Sequence, residues 1–340
     1  MDRKSIVILV FSIIGLIAWF PLVNKYYPPQ EQSRNVAENQ DGAVMTDQGN
    51  TAQAEETILQ SSETAPAVTR TPAVAISTPQ ESATVPENES LLIWENDNLA
   101  YEFTSAGGGI KTVILKQYQE TTKCNNEESE EAAETDHVRL NVNVPTPALN
   151  LFFGKLDNGF LPYTLKQEGD EILAEYLGPD GIRVLKTFQP GTNYVIEAKI
   201  TIENTSYEPK VIPEHYLVTG TATPTKPTDT GMYMGMRYHN GEGVEEIKES
   251  WFANRTLGCF PGTPRTVYPS EPGMVRWTAV ENQFFAMLAI PEEPAPGLVT
   301  QQINLAPPTQ EILAAFPKAN MAPKGYQNSL SYPAQELEPG

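Results

Sequence analysis

Cysteine is scarce in this chain of 340 residues. Cys124 and Cys259 are the only two, too few for a disulfide framework or for the roughly four ligands of a structural zinc site, and three histidines do not complete a set. Basic residues are also in short supply. The 23 Lys and Arg stand against 43 Asp and Glu, and the formal charge of -20 repels phosphate and argues against nucleic acid as a partner. A glycine-rich phosphate loop is lacking as well, because Gly107 to Gly109 precede neither a helical pattern nor a Lys-Ser/Thr pair and read as turn residues. What is there suffices for a core. The chain is 40% hydrophobic and 9% aromatic, which excludes a wholly disordered polymer, and its length suggests one or two domains.

A single long apolar run occurs, over residues 6–23, behind Asp2, Arg3 and Lys4. At about 1.5 Å per residue it covers most of a bilayer core of about 30 Å. A cleaved signal peptide is the competing reading. Its apolar region is typically about 7 to 15 residues and ends on a small-x-small site, whereas Trp19-Phe-Pro-Leu-Val-Asn-Lys-Tyr-Tyr27 offers bulky residues there. Residues 1–27 therefore read as an N-terminal transmembrane anchor, with Trp19, Tyr26 and Tyr27 suited to an interfacial belt. Arg3 and Lys4 ahead of the span, against Lys25 and an acidic stretch behind it, put the N-terminus in the cytoplasm and the rest outside.

Over residues 28–90 Gln, Glu, Ser, Thr, Ala and Pro dominate without a sustained apolar period. Such a composition cannot offset its ordering entropy, and the segment reads as a disordered tether with a reach on the order of 45 Å.

Beyond it the apolar residues alternate. Leu99, Tyr101 and Phe103 run into Ala106-Gly-Gly-Gly109. Ile172, Ala174 and Tyr176 lead through Gly178-Pro-Asp-Gly181 to Ile182, Val184, Lys186 and Phe188, and then through Gln189-Pro-Gly191 to Tyr194, Ile196, Ala198, Ile200 and Ile202. This pattern predicts half-buried antiparallel strands in meander order. Residues 149–153, 211–219 and 277–290 are further strand candidates, and 310–316 reads as one short helix. Two stretches read as surface loops: the acidic 123–136 and the Pro-, Gly- and Thr-rich 221–273. The whole predicts a mainly β, antiparallel sandwich domain over residues 91–340.

Chemistry is harder to find. Glu127, Glu128, Glu130, Glu131, Glu134 and Asp136 lack the Asp-x-Asp-x-Asp-Gly spacing of a calcium loop and read as a solvated surface. His215 and His239, the latter beside Tyr238 and Asn240, could serve a sugar-active site with a carboxylate such as Glu281, though isolated histidines are more often packed or surface residues. Cys124 and Cys259 could pair in an oxidising compartment, and sequence alone does not bring them together. Met232, Met234 and Met236 alternate either as a soft peptide-binding edge or, by default, as core. No catalytic, cofactor-binding or metal-ligating set emerges, and no cofactor is expected.

Three segments carry a resemblance. Leu99-Ala-Tyr-Glu-Phe-Thr-Ser-Ala-Gly-Gly-Gly-Ile-Lys-Thr-Val-Ile-Leu-Lys-Gln-Tyr118 resembles the first strand, glycine turn and second strand of the exported domain in the YidC family of bacterial membrane protein insertases. Gly181-Ile-Arg-Val-Leu-Lys-Thr-Phe-Gln-Pro-Gly-Thr-Asn-Tyr-Val-Ile-Glu-Ala-Lys-Ile200 is similar to that family's central hairpin, and Trp277-Thr-Ala-Val-Glu-Asn-Gln-Phe-Phe-Ala-Met-Leu-Ala-Ile-Pro291 to its Trp-led strand. Their order matches too, behind an anchor that begins Met-Asp-Arg-Lys and a Pro-rich linker.

The resemblance implies an inner-membrane insertase and chaperone whose periplasmic domain is an antiparallel β-supersandwich, shaped like the sugar mutarotases without their activity. In that family an insertase core of five further spans follows, with a basic residue in a hydrophilic groove. Glu336-Leu-Glu-Pro-Gly340 resembles the turn before the domain's last strand, which implies a chain that stops ahead of that core. The expected function is thus non-enzymatic assistance to the insertion and folding of inner-membrane proteins, alone or with the Sec translocon. Expected partners are the bilayer through the N-terminal helix, nascent membrane proteins and Sec components, with no small-molecule substrate. A membrane-anchored carbohydrate-binding or carbohydrate-active β-sandwich protein is the alternative, and a plain tethered scaffold is a third reading.

Overall fold

A computed structural model describes residues 88–119, 137–156, 158–255, 262–269 and 273–340. The expected anchor, nearly all of the tether, the acidic loop and both cysteines lie outside the described residues. Among the described residues no helix is long and apolar enough to cross a membrane.

In chain order the strands are β1 (Leu91–Glu95), β2 (Leu99–Thr104), β3 (Gly109–Gln119), β4 (His137–Leu140), β5 (Leu151–Phe153), β6 (Thr164–Glu168) and β7 (Glu171–Leu177). Then follow β8 (Ile182–Pro190), β9 (Ile196–Asn204), β10 (Lys210–Ile212), β11 (His215–Ala222), β12 (Gly235–His239) and β13 (Val244–Lys248). The series ends with β14 (Val267–Pro269), β15 (Trp277–Glu281), β16 (Ala286–Ala289), β17 (Gly297–Asn304), β18 (Lys324–Tyr332) and β19 (Gln335–Leu337). Short helices stand at Glu249–Ala253 and Gln310–Ala315, the second capped by the Thr309 side chain, which accepts from the Ile312 N–H.

The sheets run β1-β2-β3-β4, β6-β7-β8-β9, β14-β17-β18-β11-β5 and β13-β12-β15-β16, with β10-β19 as a two-stranded pair. Pairing within them is antiparallel, so the mainly β antiparallel sandwich is what forms. The meander β7-β8-β9 follows from its alternation: Ile172, Ala174, Val184 and Phe188 point inward and are fully buried. The turn between β7 and β8 closes through the Gly178 N–H donating to the Ile182 carbonyl, with Gly181 at φ +86°.

Four sequence expectations need correction. Tyr194 does not belong to β9; it lies in the preceding turn at φ +64°, exposed, where the Gly191 N–H donates to the Val195 carbonyl. An aromatic turn residue extends the apolar alternation one step beyond the strand. The candidate strand 211–219 is two strands in two sheets, broken at Pro213-Glu214, because proline has no N–H for the ladder. The run 277–290 is a hairpin, β15 and β16, reversed where the Asn282 carboxamide oxygen accepts from the N–H groups of Phe284 and Phe285.

The fourth correction is the largest. Segment 221–273 is not a surface loop but contributes β12, β13, β14, a helix and the buried Met236, Tyr238, Ile247 and Phe252. Strands of three to five residues show too little alternation to stand out against a Pro- and Gly-rich background. Met234 and Met236 are accordingly core, while Met232 is 78% exposed.

Apolar burial is organised as two clusters. One gathers Phe103, Ile110, Leu151, Ile172, Val184 and Phe188, with the Phe103 and Phe188 rings 5.0 Å apart. The other gathers Met236, Phe252, Val280, Leu298, Tyr326 and Leu330. Leu217 of β11 and Met287 of β16 pack against both.

Candidate functional site

The sugar-site residues are not brought together. His239 and Trp277 are register partners across β12 and β15, as are Gly235 and Glu281. His239 and Glu281 therefore stand four residues apart along the ladder, about 13 Å at about 3.3 Å per residue, too far for an acid–base pair. Glu281 is engaged by Arg237 at 3.1 Å, and the His239 Nδ1 accepts from the Gly241 N–H at 2.9 Å. His215 belongs to a different sheet. Among the described residues no three His, Cys, Asp or Glu side chains converge on a metal-sized site.

His215 is a packed ring. It opens β11, stacks on Tyr332 at 5.3 Å and 12°, and lies near Phe153 at 6.0 Å, with Nδ1 3.2 Å from the Pro213 carbonyl. Burial pushes its pKa below the usual 6.5, and the Pro213 carbonyl and Glu214 only partly oppose this. The unfolded chain then takes the proton first. Stability from this group is complete above about pH 6.5 and falls as the pH drops toward the folded value. Thermal unfolding followed between about pH 7.5 and 5 should show a midpoint that falls less in His215→Phe than in the parent. Parallel curves for the two proteins would refute this account of the ring.

The glycine turn and a buried lysine form the domain's second unusual feature. Gly107 and Gly108 hold φ +82° and +56°, and a Cβ on Gly108 would lie 2.4 Å from the Tyr163 ring. Only glycine fits there. Lys186, which the alternation of β8 turns inward, is wholly buried. Its Nζ donates to the carbonyls of Gly107 and Leu149, both at 2.7 Å, and sits 4.5 Å over the Tyr163 ring. Its strand, the glycine turn ahead of β3 and the segment ahead of β5 are thus tied at one point.

A small cleft lies beside β16, with Val280, Phe285 and Met287 as its apolar walls and Asn141 and Thr221 as polar lining. Asn141 follows β4 at φ +59°, and its Nδ2 donates to the carbonyls of Lys111 at 3.2 Å and Thr146 at 3.4 Å. That commitment leaves Oδ1 as an acceptor, and it has no partner among the described residues. The Thr221 Oγ1 of β11 is likewise buried without one among the described residues. Phe285 continues the cleft outward, meeting Tyr118 edge-on at 5.4 Å, and Tyr118 in turn lies 6.2 Å from Tyr194. Among the described residues no ionisable side chain lines the cleft, and its polar lining can hold a hydrogen-bonding group. Sequence reading missed Asn141 and Thr221, which are polar, far apart in the chain and part of no motif.

The sequence profile described as the YidC periplasmic domain matches residues 94–333. A curated relative, membrane protein insertase YidC of Syntrophus aciditrophicus (strain SB), is 23% identical over 350 aligned residues, covering 98% of this chain and 58% of that protein. The chain therefore spans somewhat over half of that relative's length. Among solved structures, a galactose mutarotase related enzyme from Lactobacillus acidophilus aligns over 74% of this chain and 93% of its own at 10% identity and a TM-score of 0.44. A galactose mutarotase-like protein from Lactobacillus casei aligns over 74% and 96% at 8% identity and a TM-score of 0.36.

Proposed function

The chain belongs to the YidC family through its periplasmic domain, and from that membership we propose that it serves a membrane protein insertase of the bacterial inner membrane. The profile match across nearly all of the described domain carries this reading. Residues 1–27 act as the membrane anchor with the N-terminus in the cytoplasm, 28–90 as a flexible tether, and 91–340 as a periplasmic domain. The domain works without catalysis of its own and contributes contacts to nascent membrane proteins and to Sec components. Insertion itself needs a polar path that lowers the cost of carrying hydrophilic residues into lipid, and that work falls to a groove of the family's kind outside the periplasmic domain.

The test is depletion of the natural full-length protein from its own cells, with insertion of a single-span reporter scored by protease protection. Loss of insertion on depletion, restored by the gene supplied in trans, is the expected result. Unchanged insertion in depleted cells would sink the proposal.

A further inference from the structure

We propose that the hairpin between β12 and β13 modifies itself: the Gly241 amide nitrogen attacks the Asn240 carboxamide while His239 takes the proton. The loop runs Asn240-Gly-Glu-Gly243 and is closed by the Asn240 N–H, which donates to the Gly243 carbonyl at 3.0 Å. Asn-Gly alone is an ordinary hairpin pair, because both residues accept turn conformations, and Gly241 stands at φ +97°. Three contacts set this pair apart.

The first is on the nucleophile. The Gly241 nitrogen must shed its proton to attack, and its N–H donates to the His239 Nδ1 at 2.9 Å. A neutral imidazole that accepts through one nitrogen holds its own proton on the other, so a general base already stands on the reacting atom. The other two contacts are on the electrophile. The Asn240 Oδ1 accepts from the N–H groups of Glu242 at 2.9 Å and Gly243 at 2.8 Å. Paired backbone donors on a carbonyl oxygen polarise its carbon and stabilise the negative charge that gathers on the oxygen as a nucleophile adds.

Water is the one other reagent. The Gly241 nitrogen bonds to the Asn240 Cγ as its proton passes to His239, and the oxyanion of the tetrahedral centre faces the two N–H groups. The imidazolium returns the proton to Nδ2, the Cγ–Nδ2 bond breaks, and ammonia leaves a five-membered imide. Water opens the imide at either carbonyl, to aspartate or to the isomer whose main chain runs through the side chain. Either product loses the Nδ2–H that donates to the Glu245 Oε1 at 3.4 Å and sets a carboxylate near that of Glu245, so the change weakens the hairpin that produced it.

This chemistry does not depend on the insertase reading. The chain also holds its own control, since Asn158-Gly159 is its other Asn-Gly pair, with an exposed asparagine and no histidine among its neighbours in sequence. The full-length protein in detergent is kept at neutral pH and digested with trypsin at intervals, which places the two pairs on separate peptides, 156–166 and 238–248. Mass spectrometry reads each conversion as a gain of about 1 Da. In the folded protein Asn240 should convert at least about tenfold faster than Asn158. His239→Gln keeps an acceptor and removes the base, and it should slow Asn240 about tenfold or more while leaving Asn158 unchanged. In urea the two sites of the parent should convert at similar rates. Equal rates in the folded parent, an unchanged Asn240 rate in His239→Gln, or an excess at Asn240 that persists in urea overturns the proposal. The comparison of the two sites in the parent decides the matter even where the variant fails to fold.

Discussion

Lys186→Ala lowers the stability of the domain by about 3 to 5 kcal/mol, seen as a shift of the urea midpoint followed by tryptophan fluorescence. Two losses combine. The three lost methylenes and the amine leave a cavity beside a cluster that includes Val184 and Phe188, and such truncations cost about 2 to 5 kcal/mol. The carbonyls of Gly107 and Leu149 also lose the donor that satisfies them, about 1 to 3 kcal/mol each when left buried. Relief of the desolvated charge offsets part of this, which keeps the net below the sum. Lys186→Met retains the stem and should recover a good part of the loss.

The same pair of proteins gives a pH test. Burial holds the Lys186 ammonium well below its usual 10.5, and the two carbonyls and the Tyr163 ring moderate the shift without reversing it. The unfolded chain then binds the proton more tightly. Stability should rise with pH between the folded value and about 10.5, and the rise should be absent in Lys186→Met. Equal slopes in the two proteins over about pH 8 to 10 would show that the ammonium is not held this way.

Asn328→Leu is the second large effect, expected at about 2 to 4 kcal/mol. The Asn328 Nδ2 donates to the Thr278 Oγ1 at 2.7 Å and to the Ala279 carbonyl at 3.1 Å, while its Oδ1 accepts from the Thr300 hydroxyl at 2.7 Å. One carboxamide thereby joins β15, β17 and β18 in a region where Thr278, Thr300 and Asn328 are all fully buried. Leucine keeps the branched shape, is bulkier than the carboxamide, and leaves those groups stranded. A midpoint shift worth under about 1 kcal/mol in urea would mean that water replaces the amide without loss.

That network also explains what the sequence concealed. β7, β8 and β9 were legible because their inward residues are Ile, Ala, Val and Phe, and even Lys186 followed the alternation. β18 was not, since Gln327, Asn328 and Ser329 are buried although they are polar, and a hydrophobic period cannot register a strand whose interior is held by hydrogen bonds. β17, with Thr300 and Gln301 buried, was hidden for the same reason. Asn141 and Thr221 were out of reach for another: no local pattern links residues that only the fold brings to one cleft. The family resemblance was legible because turns and hairpins leave marks in order along the chain, as 94–333 then showed.

Met287 gives the sandwich a mechanical character. It is an inward side chain of a four-residue strand, and it lies against both apolar clusters. A thioether with three freely turning bonds fills a joint without fixing its angle. A thioether at the point where the two clusters meet therefore lets one pack against the other without a fixed interlock, where a branched side chain would set a single register.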